Sequence, residues 1–185
     1  MPDYYEFEVS LLNVKPRIWR RFLIRKTGTF HDLHMAIQDA CGWWNSHLFE
    51  FRAWGPENEG IAGIPDDEKD EPAPDAKKVK LAAFYDESDA DKCLYEYDFG
   101  DSWEHEVKLR KRVTLPESFQ RRLLDGRRAF PPEDCGGVWG YQRCMKILDG
   151  SAAEAEEEVA DLKEWLCDWT PEAFDLAATK RAFDR

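Results

Sequence analysis

Tyr5-Glu6-Phe7-Glu8-Val9-Ser10-Leu11 alternates apolar and polar residues without a break, the period-two pattern of a strand with one buried face. After the turn-forming Asn13-Val14-Lys15-Pro16, residues 17–26 alternate again. Ile18, Phe22 and Ile24 fall on one side, and Arg17, Trp19, Arg21, Leu23 and Arg25 on the other. Two such runs across a short polar link predict an antiparallel hairpin. Thr29 then supplies a capping hydroxyl, Leu33, Ile37, Ala40 and Cys41 follow helical spacing, and Gly42 suits a left-handed stop. A hairpin that runs straight into an amphipathic helix predicts an α+β fold, a mixed or antiparallel sheet wrapping one helix in a roll or β-grasp-like arrangement.

Further along the chain, residues 47–54 read as a third strand. Residues 55–78 are rich in Gly, Pro and acids, including Asp66-Asp67-Glu68-Lys69-Asp70-Glu71, and predict a long mobile loop. Residues 81–85 predict a short helix, and residues 93–99 and 103–113 two strands joined at Gly100. Residues 119–124 read as one or two helical turns. Helices are expected over 141–148, from the capping box Ser151-Ala152-Ala153-Glu154 to about residue 167, and from Thr170-Pro171 to residue 183. The expected organisation is an α+β domain over 1–150 with a helical appendage over 151–185 packed on it.

The chain has 43% hydrophobic residues and a net charge of −12, so it has the means for a core and a surface that repels phosphate backbones. The acidity is uneven: the first 54 residues are nearly balanced, and the excess of Asp and Glu follows them. Five cysteines without a C-x-x-C pair suit a reducing cytoplasm. The N-terminal residues lack the basic and apolar regions of a secretory signal, and no apolar run reaches membrane-spanning length. A cytoplasmic protein without a membrane partner is expected.

Polar residues gather in three segments: Trp43-Trp44-Asn45-Ser46-His47, Asp98-Phe99-Gly100-Asp101-Ser102-Trp103-Glu104-His105, and Pro131-Pro132-Glu133-Asp134-Cys135-Gly136-Gly137. His47, Asp98, Asp101, Trp103, His105, Glu133, Asp134 and Cys135 are the candidate site residues, with His34 a further neighbour. Carboxylates and imidazole together are ligands for Zn, Mn or Fe, and Asp98, Asp101, His105 and Glu133 form the ligand set this reading offers, with Asp134 as general base. The spacing matches no compact metal motif, and Asp beside a Gly turn equally serves backbone geometry. Cys135 is a weak nucleophile candidate, since its acidic neighbours raise a thiol pKa. Arg17, Trp19, Arg21 and Arg25 share one strand face and can contact phosphates and stack on bases, but the abundant carboxylates are their readier partners.

Read together, Pro16-Arg17-Ile18-Trp19-Arg20-Arg21-Phe22, the Gly42–Phe51 segment, Tyr97-Asp98-Phe99-Gly100-Asp101-Ser102-Trp103-Glu104-His105 and the Pro131–Tyr141 block resemble the Ri-plasmid (pRiA4b) ORF-3-like family. Members also travel as passengers of transposable elements, and some bear a resolvase label. The resemblance runs from about residue 4 to 148 and implies an α+β fold with no established activity. A serine resolvase needs a nucleophilic Ser among arginines on a doubly wound domain, then a helix-turn-helix, an order this chain lacks. Relatives often carry Cys where Arg122 and Phe130 stand here, which weakens any thiolate site. The expected function is a non-catalytic binding or interaction module linked to mobile elements, its protein or small-molecule partner not specified. A metal-dependent hydrolase and a nucleic-acid-associated factor are the alternatives.

Overall fold

The computed structural model describes residues 1–65 and 72–185. Its elements are β1 (Asp3–Leu11), β2 (Trp19–Arg25), α1 (Phe30–Cys41), β3 (Phe49–Ala53), β4 (Gly60–Gly63), α2 (Leu81–Tyr85), β5 (Lys92–Tyr97), β6 (Trp103–Thr114), β7 (Arg121–Arg127), α3 (Gly137–Asp149), α4 (Glu156–Leu166) and α5 (Leu176–Phe183). The strands form one sheet in the order β4-β3-β5-β6-β1-β2-β7, and each neighbouring pair is antiparallel. The α+β expectation is met, with an antiparallel sheet.

The predicted hairpin forms with Phe7 opposite Phe22. Its inward residues, with Tyr95, Val107 and Leu123 from neighbouring strands, join Phe30, Leu33 and Ile37 of α1 in the main core. Helix α1 starts and stops as the sequence predicts. Thr29 accepts from the Asp32 amide while Asp32 accepts from the Thr29 amide, and Gly42 closes the helix at φ 79°. The opposite face of the sheet carries cross-strand charge pairs, among them Arg21 with Glu6, Lys111 with Glu6 and Lys92 with Glu106. One dry and one wet face is the usual economy of an antiparallel sheet.

Four expectations are corrected. Residues 121–127 form a strand, not helical turns, because β2 offers an open edge and Phe22 a cross-strand partner for Leu123. Tertiary pairing outweighs the weak helical preference of this segment. The predicted loop 55–78 contains β4, which pairs with β3, and Gly63 further bridges to Asp75. The acidic run Asp66–Glu71 lies outside the described residues. Helix α4 begins at Glu156 behind Ala155, without a side-chain cap. Ser151 and Ala152 instead donate to the Lys146 carbonyl, finishing α3, and Glu154 pairs with Arg143. Thr170-Pro171 forms a turn, and Asp175 caps α5 by accepting from the Ala178 amide at 2.9 Å. The delay places Phe174 against the Arg20 guanidinium, 3.9 Å from carbon to ring centre, and over Gly126, where a Cβ would lie 2.8 Å from the ring.

Phe183 of α5 is fully buried in the same core cluster as α1 and stacks at a tilt on Phe22. Phe183→Ala should therefore destabilise the whole chain by about 3–5 kcal/mol in urea unfolding, with one transition retained.

Candidate functional site

Three segments far apart in sequence meet at one end of the sheet: the corner after α1, the β5–β6 turn and the loop before α3. Tyr97, the last residue of β5, joins them. Its hydroxyl accepts from the Ser46 amide at 2.9 Å and the His47 amide at 3.3 Å, and donates to Glu133 Oε1. Glu133 Oε2 accepts from the Trp44 amide at 2.6 Å. Below this, Trp43 stacks on Tyr97 at 5.2 Å between ring centres and donates from Nε1 to the Pro131 carbonyl at 2.9 Å.

The layer nearer solvent consists of partly buried His47 and Asp98 and exposed Asp134. His47 Nε2 lies 2.7 Å from Asp134 Oδ1 and 3.6 Å from Asp98 Oδ2. One ligand-type atom from each of the three falls within 4.8 Å of the others. Asp98 Oδ1 is occupied by the amides of Gly100 at 3.0 Å and Asp101 at 3.4 Å, so Oδ2 is the oxygen left facing His47. Asp98 and Asp134 both sit at positive φ, 57° and 63°, a conformation that Asp tolerates better than most residues and that turns both carboxylates toward one point. A cavity of about 780 Å³ opens beside them, lined by Asn45, Ser46, His47, Leu48 and Asp98 on one side and Asp75 and Lys77 on the other.

The remaining predicted residues separate into two groups. Asp101 belongs to the scaffold: its Oδ2 accepts from the Gly136 amide at 3.1 Å. Its backbone passes so close to Gly137 that a Cβ there would stand 2.5 Å from the Asp101 carbonyl. Trp103 and His105 are fully buried, because they alternate with Val107 and Leu109 on the inward face of β6. His105 stacks on Phe130, meets Trp43 edge-on, and places Nδ1 3.3 Å from the Tyr95 carbonyl. The sequence-derived ligand set Asp98, Asp101, His105 and Glu133 is thus not assembled. Among the described residues, His47, Asp98 and Asp134 are the group that gathers. The strand period of residues 103–109 already carried the signal that His105 points inward. Tyr97, the residue that joins the segments, lay inside the quoted motif but was missed.

His34 is also internal, with Nδ1 2.8 Å from the Tyr95 hydroxyl, Nε2 2.7 Å from Asn45 Oδ1, and its ring stacked on Phe49. Cys135 turns toward α3, where Gly140 leaves room for its carbonyl, and its free thiol donates to the Gly137 carbonyl at 3.9 Å. Hydrogen bonding to Cys144, then burial, push the Cys135 thiol up, which keeps it protonated. On the outer sheet face, Arg17 pairs with Glu8 at 2.7 Å, Arg21 with Glu6 and Asp125, and Arg25 donates to Ser118 at 2.7 Å, while Trp19 lies beside Arg21.

A single antiparallel sheet with α1 and α5 packed in its core and a polar corner built from three loops defines the class of this protein. The chain belongs to the family described as plasmid pRiA4b ORF-3-like protein, which matches residues 3–178. It is 35% identical over 179 residues to the uncharacterized protein y4hQ of Sinorhizobium fredii (strain NBRC 101917 / NGR234), covering 96% of this chain and 89% of the relative. The crystal structure of a protein of unknown function, MM3350 from Methanosarcina mazei Go1, has the same fold, with a TM-score of 0.83, 34% identity and 96% of each chain covered. Among the described residues no helix is long and apolar enough to cross a membrane.

Burial pushes His34 and His105 down to about 4. Their folded pKa lies below the unfolded value near 6.5, so the unfolded state takes up protons first on acidification. The stability they confer is complete above 6.5 and lost as pH falls toward 4. His47 behaves oppositely. Slight burial lowers it, but the hydrogen bond to Asp134 and the charges of Asp98, Asp134 and Glu133 raise it overall. Its contribution is present below 6.5 and lost as pH rises through its folded pKa. Urea unfolding between pH 7 and pH 5 should show a loss on the order of 2 kcal/mol from each buried histidine, with a shallower slope in His105→Phe.

Proposed function

We propose that the protein is a non-catalytic binding module, and that the corner of His47, Asp98 and Asp134 holds a cation. The observation that carries this reading is that two carboxylates and one imidazole, none part of the hydrophobic core, bring ligand-type atoms within 4.8 Å of one another, with His47 and Asp98 on the cavity wall. With His47 neutral the corner is net negative, and Glu133 and Asp101 stand behind it. A cleft lined by one sign of charge draws ions of the other.

Several features favour binding over catalysis. A hydrolytic site needs an unengaged base or nucleophile near the substrate. Both Glu133 oxygens serve the scaffold, Cys135 is held protonated, and His105 is sealed in the core. The surroundings also suit a contact surface. Trp44 and Trp139 are 79% and 83% exposed, and Leu48, Ile64 and Phe99 are exposed as well. Leu48, Ile64 and Phe99 line the cavity and Trp44 stands at the corner, and exposed large apolar side chains of this kind suit an interaction site. An association with mobile elements is supported by the plasmid in the family's description.

The second reading is a metal-dependent hydrolase, favoured by the position of His47 and Asp98 on the cavity wall, which leaves room for a bound water. The arginine face supports a nucleic-acid reading less well, since carboxylates already engage Arg17 and Arg21.

Isothermal titration against divalent metal ions, guanidinium and spermidine tests the proposal. At least one cation should bind, and Asp98→Asn should weaken it roughly tenfold or more, about 1.4 kcal/mol. If none binds at millimolar concentration, the cation-binding reading fails. Turnover of p-nitrophenyl phosphate or acetate with bound metal, abolished by Asp98→Asn, would establish the hydrolase instead.

A further inference from the structure

Resting on the cation reading, we infer that the species held at the corner is a divalent transition-metal ion, with His47 Nε2, Asp98 Oδ2 and Asp134 Oδ1 as its three protein ligands. Water and a group entering from the cavity would fill the remaining positions.

The separations fit such an ion. Nitrogen and carboxylate ligands lie about 2.0–2.2 Å from Zn and similar metals, so two ligands of one ion stand roughly 3–3.6 Å apart in tetrahedral or octahedral geometry. Here Nε2 is 2.7 Å from one carboxylate oxygen and 3.6 Å from the other, and the third separation is within 4.8 Å. Opening the short His47–Asp134 hydrogen bond by a few tenths of an ångström, with release of its proton to water, admits the ion between the two atoms. That movement falls on Asp134, whose side chain is 57% exposed and unconstrained by the core.

The donor types select among cations. An imidazole nitrogen between two carboxylate oxygens suits Zn, Mn or Fe better than Mg or Ca, which favour oxygen alone. An organic cation matches the corner less well. A guanidinium offers a planar fork of donors for paired oxygens, and His47 would then have to accept from the same group. Three ligand-type atoms within 4.8 Å of one another form instead the coordination set of a small spherical charge.

An outer layer already holds the ligands. The two amides on Asp98 Oδ1 leave one oxygen to bind. The His47 amide is fixed by Tyr97, whose hydroxyl also anchors Glu133, the residue before Asp134. Such support from beyond the ligands typically changes metal affinity by 10–100-fold.

The test uses the full chain, untagged, after chelator treatment and removal of the chelator. Mn²⁺ is titrated and the unbound ion followed by electron paramagnetic resonance, and Zn²⁺ is titrated by calorimetry. One equivalent should bind, with affinity at least tenfold lower in both His47→Ala and Asp134→Asn. Glu157→Gln, at an exposed acid of α4, should bind as the parent does. Circular dichroism and melting temperature show that each variant is folded, and exposed Asp134 provides a variant that spares the core. Binding that is stoichiometric but indifferent to His47 and Asp134 overturns the assignment of the site. If guanidinium or spermidine binds in an Asp98-dependent way while Mn²⁺ and Zn²⁺ do not, the metal inference falls and the cation reading stands. If no cation binds, both fall.

Discussion

The hydroxyl of Tyr97 sits where β5 ends, and it settles the positions of two other segments at once. Two consecutive amides from the corner after α1 point at it, and it points in turn at Glu133. Amides at such a corner have no strand or helix partner, and left unpaired in a half-buried setting each would cost about 1–3 kcal/mol. A single phenol satisfies both and passes the constraint to the Pro131–Gly137 loop. The stacked Trp43 ring below it, bonded to Pro131, keeps the arrangement from tilting. His47, Asp98 and Asp134 owe their proximity to this joint more than to their mutual attraction.

Behind the joint, the sheet separates two kinds of surface. The inward face is aromatic and dry, with His105 and Trp103 among its buried members. Among the described residues, their Nε2 and Nε1 atoms find no hydrogen-bond partner, at a cost of about 1–3 kcal/mol each. The outward face carries Arg17, Arg21 and the carboxylates that engage them. Only the strand ends, where loops replace the ladder, present polar groups that neither the core nor the ladder claims. Loops on a rigid scaffold are the usual carriers of function for this reason.

Local rules made much of this legible. Thr29, Asp32 and Gly42 bracket α1 by short-range chemistry, and the alternation of residues 5–11 and 17–26 is satisfied within the hairpin. Where the sequence misled, a distant partner decided. Residues 121–127 look helical until the β2 edge is present to receive them. The Thr170-Pro171 start of α5 yields to Phe174 seeking Arg20. The same division runs through the site. The three Gly-, Pro- and acid-rich segments could be named from sequence, because turns demand such residues, but which side chains would face one another could not. His105 was misplaced despite a readable signal, since polarity was weighed above strand period. The His47–Asp134 contact spans residues with no local relation and was invisible.

The chemistry that the corner can support follows from how the carboxylates are divided. Glu133 and Asp101 spend their oxygens on backbone amides and a phenol, and so hold the loops in register. Asp98 is split, one oxygen structural and one outward. Asp134 is held mainly by its backbone and by His47. This gradation, from wholly structural to largely exposed, leaves a small group of donors near one another, with Asp98 Oδ2 facing His47 and the Asp134 side chain free to move. On the proposed cation reading, the corner offers two carboxylates and an imidazole to one charge, and exposed Trp44, whose amide donates to Glu133, stands next to it.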